Sequence, residues 1–136
     1  MLMHNKSDLH GLNVLVVEDE SLVLFNLEDT LTELGCIIVG PAMRLPQAQE
    51  LVAGAADIDV AILDVNLGGA PVFPIAEALI ARGVGVIFAT GYGREGLPEA
   101  WRDYPVLMKP YTADDVERSL RGLVAGESQL GEPPAR

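Results

Sequence analysis

Two kinds of apolar segment alternate along the chain. Short unbroken runs occur at Asn13-Val14-Leu15-Val16-Val17, Cys36-Ile37-Ile38-Val39, Val60-Ala61-Ile62-Leu63, Val84-Gly85-Val86-Ile87-Phe88 and Pro105-Val106-Leu107-Met108. They are rich in β-branched residues and do not alternate with polar ones, as strands do when a parallel sheet buries both their faces. Between them the apolar positions take helical spacing: Leu24, Leu27, Leu31 and Leu34, then Ile75, Ala76, Leu79 and Ile80, then Val116, Leu120, Leu123 and Val124. A further helix is predicted over roughly 45–55, with Pro46 in its first turn. Gly35 and Gly83 stand where a C′ glycine ends a helix. Thr112 and Asp115 have capping-box spacing, with Asp in place of Glu. Gly91, Gly93, Gly96 and Pro98 leave room for at most a short helix near 98–103.

The order βαβαβαβαβα predicts an α/β fold: a doubly wound, five-stranded parallel sheet with right-handed crossovers. Such sheets bind ligands beyond the carboxyl ends of their strands, at the switch in strand order. A length of 136 residues suits one domain, over 12–125. Residues 1–11 read as a flexible arm carrying His4 and His10, and 126–136, with Gly126, Gly131, Pro133 and Pro134, as a disordered tail. No second domain is expected after residue 125.

Nine basic residues against twenty acidic ones give a net charge of −11. Charge of that sign excludes a nucleic-acid backbone or an anionic membrane as main partner. The longest uncharged stretch, Val65 to Ala76, contains Pro71 and Pro74. It falls short of the roughly 20 apolar residues a membrane helix needs. With a polar start, no leader is expected, and the single cysteine excludes an internal disulfide. Together these predict a cytoplasmic protein.

Polar residues collect where the strands end. Glu18, Asp19 and Glu20 follow the first run, Asp64, Val65 and Asn66 the third, Thr90 the fourth, and Lys109-Pro110 the fifth. Singly, each has an ordinary explanation: acids favour helix N-termini, and Asp favours turns. Jointly they converge on one edge of a parallel sheet. Carboxylates about 4 Å apart repel by about 4 kcal/mol at an effective dielectric of 20. A hard divalent cation relieves that repulsion, and oxygen-only donors select Mg²⁺ (or Mn²⁺) over Zn²⁺. Lys109 adds a mobile cation suited to a phosphoryl oxygen. The set reads as a phosphoryl-transfer site with Asp64 as nucleophile.

On these residues the chain resembles the response-regulator receiver domains of two-component signalling, over roughly 12–125. Phe88-Ala89-Thr90-Gly91-Tyr92 further resembles the FAT GUY subgroup of single-domain regulators. The resemblance implies a flavodoxin-like (βα)5 topology with strand order 2-1-3-4-5. It implies that Asp64 accepts phosphate from a histidine kinase or histidine phosphotransfer protein. Asp19, Asp64 and the backbone carbonyl of Asn66 are then the metal ligands, with Glu18 acting through water. Lys109 contacts the phosphoryl group, Thr90 moves to bond it, and Asn66 and Tyr92 tune dephosphorylation. The protein is then a phosphoacceptor, an enzyme only toward its own phosphorylation and dephosphorylation. It signals by binding a downstream protein, or serves as a phosphate shuttle or sink.

Three positions depart from the family pattern. Glu18 stands where Asp is commoner, Gly91 follows the threonine, and Val106 occupies the usual aromatic switch position. Tyr92 is a candidate substitute for that aromatic. The glycine-rich segment 91–96 is expected to be mobile without phosphate, with 91–103 ordering on phosphorylation. Tyr92 and Trp101 would then present or withdraw apolar surface for a partner. Taken alone, Trp101 reads better as packing, and Tyr111 equally as a packed edge or a partner contact.

Three rival functions differ in class. A flavodoxin-like FMN protein needs a hydroxyl- and glycine-rich phosphate loop where Glu18-Asp19-Glu20 stands. A dehalogenase-type, Mg-dependent aspartyl-phosphate phosphohydrolase carries its nucleophile after the first strand, not the third. An unphosphorylated docking module would not need the complete acid set.

Overall fold

The computed structural model describes residues 9–54 and 57–126. Five parallel strands form the sheet: β1 (Asn13–Val17), β2 (Ile37–Ala42), β3 (Val60–Asp64), β4 (Gly85–Thr90) and β5 (Val106–Met108). Their spatial order is β2-β1-β3-β4-β5. Four helices flank them: α1 (Ser21–Glu33), α2 (Leu45–Ala53), α3 (Phe73–Ala81) and α4 (Ala113–Val124). The chain thus has the doubly wound flavodoxin-like architecture that the alternating pattern predicts.

Strand periodicity divides the core in two. Val14, Val16, Ile62, Ile87 and Ala89 face α1 and α4, whereas Leu15, Val17, Ala61, Leu63, Val86 and Phe88 face α2 and α3. Each central strand is therefore apolar at consecutive positions, because both its faces are covered. In register, Val17 lies beside Leu63, and Asp64 beside Ala89. This register brings the residues just past β1, β3 and β4 to one edge.

The sequence pattern differs from the structure at four places. Strand β2 runs on past Val39 through Gly40 and Pro41 to Ala42. As an edge strand it needs fewer backbone donors, so a proline is tolerated there. The helix expected near 98–103 is replaced by two 3₁₀ turns, Gly93–Gly96 and Glu99–Trp101. Gly93 takes a φ of 65°, which only glycine adopts without strain, and Pro98 separates the turns. A two-stranded antiparallel hairpin, Asn66–Leu67 with Ala70–Pro71, lies between β3 and α3 outside the expected alternation. It turns on Gly68 and Gly69, both at positive φ.

The fourth difference is at the start. Leu9 is buried with Leu12 against α1, and the Gly11 amide donates to the Gly35 carbonyl. The packed domain therefore already includes residues 9–11, which were expected to belong to the arm. The polar neighbours of Leu9 masked its apolar character. Residues 1–8, with His4, and 127–136 lie outside the described residues. Among the described residues no helix is long and apolar enough to cross a membrane.

Candidate functional site

Glu18 directly follows β1, and its side chain turns inward until only 2% of it is exposed. Its Oε2 accepts the Glu20 amide proton at 3.0 Å. The Lys109 ammonium, brought in from the end of β5, stands 2.9 Å from Glu18 Oε1, 3.2 Å from Glu20 Oε1 and 3.4 Å from Asp64 Oδ2. The Lys109 amide donates to the Thr90 carbonyl at 2.9 Å, tying β5 to the end of β4. One ammonium thus sits among three carboxylates drawn from two strand ends.

Asp19 lies on the outer side of this group. Its Oδ2 accepts the Gly68 amide at 3.0 Å, so the hairpin docks on it. Asn66 Oδ1 accepts the Gly69 amide at 2.9 Å, which leaves that side chain shaping the hairpin. Carboxylate oxygens of Glu18, Asp19 and Glu20 lie within 4.8 Å of one another. These are hard oxygen donors, which fit Mg²⁺ or Mn²⁺ and not a softer metal.

The charge balance shows in the titration of Asp64. Burial, then repulsion from Glu18, push the Asp64 carboxyl up to about 7, against the pull of Lys109. The hydrogen bond with Asp19 acts in the same upward direction. Excess negative charge of this kind is what a divalent cation balances. Burial alone would lower the Lys109 pKa, but hydrogen bonding and attraction to Glu18, then Asp64 and Glu20, hold it above its ordinary value. Tyr111 is pushed up to about 12, first by burial and then by Glu18. Its hydroxyl is buried without a hydrogen-bond partner among the described residues.

Thr90 is buried at the end of β4, and its hydroxyl accepts the Tyr92 amide at 3.1 Å. Gly96 packs directly on it: a Cβ there would stand 2.9 Å from the threonine oxygen. Gly91 opens on free space. The Tyr92 ring is 81% exposed and turned out to solvent.

Trp101 is placed differently from a surface residue. Its ring lies 5.4 Å from Phe73, 5.5 Å from Phe88 and 5.3 Å from Tyr104, centroid to centroid. It is buried beneath the second 3₁₀ turn and closes the α3 face of the core. In this structure Trp101 packs, as its reading taken alone expects, and three aromatic neighbours cover it.

The structure brings Glu18 and Asp64 to the Lys109 ammonium, with Asp19 and Thr90 alongside. Glu20 was not among the residues expected to act. Its position next to Glu18-Asp19 was the only signal in the sequence, since its contact depends on where the Lys109 side chain ends.

No family model and no curated protein matches the chain. Among solved structures, SdrG from Sphingomonas melonis Fr1 is 43% identical, over 84% of this chain and 97% of that one, with a TM-score of 0.75. The REC domain of the PhyR response regulator of Erythrobacter litoralis is 31% identical, over 93% of this chain and 98% of that one, with a TM-score of 0.74. PhyR from Brucella abortus, a response regulator, is 25% identical over 90% of this chain but only 51% of its own, with a TM-score of 0.77. Similarity spanning nearly the whole of both chains in the first two pairs, on a sheet of order 2-1-3-4-5, places the protein in the family of response-regulator receiver domains.

Proposed function

We propose that Asp64 accepts a phosphoryl group from a histidine kinase or histidine phosphotransfer protein, and that its phosphorylation state governs binding to a downstream protein. The observation that carries this reading is the Lys109 ammonium 3.4 Å from the Asp64 carboxylate, beside the buried Glu18. A carboxylate nucleophile next to a fixed cation is the minimum that phosphoryl transfer asks of a protein.

In this reading an Asp64 oxygen attacks phosphorus. The P–O bond forms as the P–N bond of the phosphohistidine breaks, and the imidazole leaves with the bonding pair and takes a proton from water. Lys109 then donates to a phosphoryl oxygen. Thr90, whose oxygen accepts from Tyr92, keeps its own O–H for another phosphoryl oxygen. Asp19, Asp64 and the Asn66 backbone carbonyl would hold the Mg²⁺ or Mn²⁺ ion. Glu18 has both oxygens engaged, by Lys109 and by the Glu20 amide, and would act through water. The bound ion supplies positive charge to the oxygens of the group being transferred. Asn66 and Tyr92 flank the acceptor and the threonine and are positioned to set how fast water removes the phosphate. The downstream surface is sought at exposed Tyr92, not at Trp101.

The test is labelling with acetyl phosphate and Mg²⁺, then with a purified histidine kinase. Wild type is expected to gain one acid-labile phosphate, and Asp64→Asn none. Equal labelling of Asp64→Asn, or none of wild type with either donor, overturns the reading.

A further inference from the structure

Lys109 is a donor already engaged before any phosphoryl group arrives. Its ammonium donates to Glu18 and Glu20 at 3.2 Å each and stands 3.4 Å from Asp64 Oδ2 as an ion pair. A phosphoryl group on Asp64 that draws the ammonium fully toward itself does so at the expense of a partner that must let go. The three are not equally free to do so. Glu18 is 2% exposed, and releasing it would leave a charge cut off from water. Asp64 carries the incoming group itself. The Glu20 side chain is 63% exposed, and water can replace the ammonium there at little cost. Glu20 also occupies the N-cap position of α1 without a side-chain capping bond, so helix capping does not hold its carboxylate in place.

Building on the phosphoacceptor reading, we infer that Glu20 is a positioning residue that competes with the phosphoryl group for Lys109. Before transfer it parks the ammonium over the crevice, paired and oriented. On transfer it is displaced into solvent while Glu18 keeps its hold. The exchange sets a threshold: the phosphoryl group must outbid a carboxylate already in place. It also adds negative charge at the mouth of the site, which an anionic donor must approach.

Beryllofluoride, at saturating Mg²⁺, probes this without turnover. Glu20→Gln removes the competing charge and keeps the side-chain size. The half-saturating beryllofluoride concentration is expected to fall about two- to fivefold, the scale of an exposed ion pair. The control is Asp114→Asn. Asp114 is exposed in the first turn of α4 and forms no ion pair with Lys109 among the described residues. It is expected to give less than half that gain. An unchanged or raised half-saturation in Glu20→Gln overturns the inference, as does an equal gain in Asp114→Asn, which would reduce the effect to bulk charge. If wild type binds no beryllofluoride and takes no label from acetyl phosphate, the phosphoacceptor reading fails instead.

Discussion

The Lys109 ammonium faces three carboxylates, of which Glu18 is the one sealed from water. That asymmetry governs what substitutions cost. Lys109→Met strands the Glu18 charge and is expected to lower stability by about 3 kcal/mol, the lower end for a broken buried pair. Adding Glu18→Gln should recover part of the loss, because the stranded charge is then gone. Urea unfolding at neutral pH measures both, and an unchanged midpoint in Lys109→Met would show that Glu18 finds another partner. The acids and the lysine were legible in the sequence because each follows an apolar run directly, and a parallel sheet aligns those ends. Glu20 was not, because its contact depends on the rotamer of a flexible side chain that starts on another strand.

Among the elements, α4 is the most completely specified by its own sequence. The Thr112 hydroxyl accepts the Asp115 amide at 3.1 Å, and the Asp115 carboxylate accepts the Thr112 amide at 2.9 Å. Thr112→Ala is expected to cost about 1 kcal/mol of stability, measured by chemical denaturation. The hydrogen bond from the Thr112 backbone lowers the Asp115 pKa below its ordinary 3.8. A group depressed in the folded state stabilises it above the unfolded value, and that contribution fades as pH falls through the folded one. The gap between wild type and Asp115→Asn should therefore be present at neutral pH and close in acid below 3.8. Helix α4 and the central strands were readable because caps and burial both act locally. The hairpin after β3 was not: Asn66-Leu67-Gly68-Gly69-Ala70-Pro71 has too few residues for a period, and its docking on Asp19 and the burial of Leu67 give it a place. The two 3₁₀ turns escaped for a related reason. Glycines forbid a longer helix without saying what replaces it, and the buried ring of Trp101 settles that through contacts remote in sequence.

For the whole molecule, the gathering of acids at one edge of the sheet is expected to make stability depend on small cations. Mg²⁺ that binds the folded chain and not the unfolded one raises the unfolding temperature in proportion to its occupancy. Wild type is expected to gain several degrees at millimolar Mg²⁺, and Asp19→Ala to lose most of that gain, with a smaller loss in Glu18→Gln. Equal shifts in Asp19→Ala and wild type would place the ion elsewhere.

The aromatic cluster on the opposite face adds something of practical use. Trp101 is the only indole in the chain, and its ring meets Phe88, two residues before Thr90 on β4. Indole emission from the unlabelled protein, excited at wavelengths that tyrosine does not absorb, therefore originates at a single point, directly behind the strand that ends in Thr90. The molecule comes with its own optical gauge, placed where a displacement of that strand would first alter the quenching of its light.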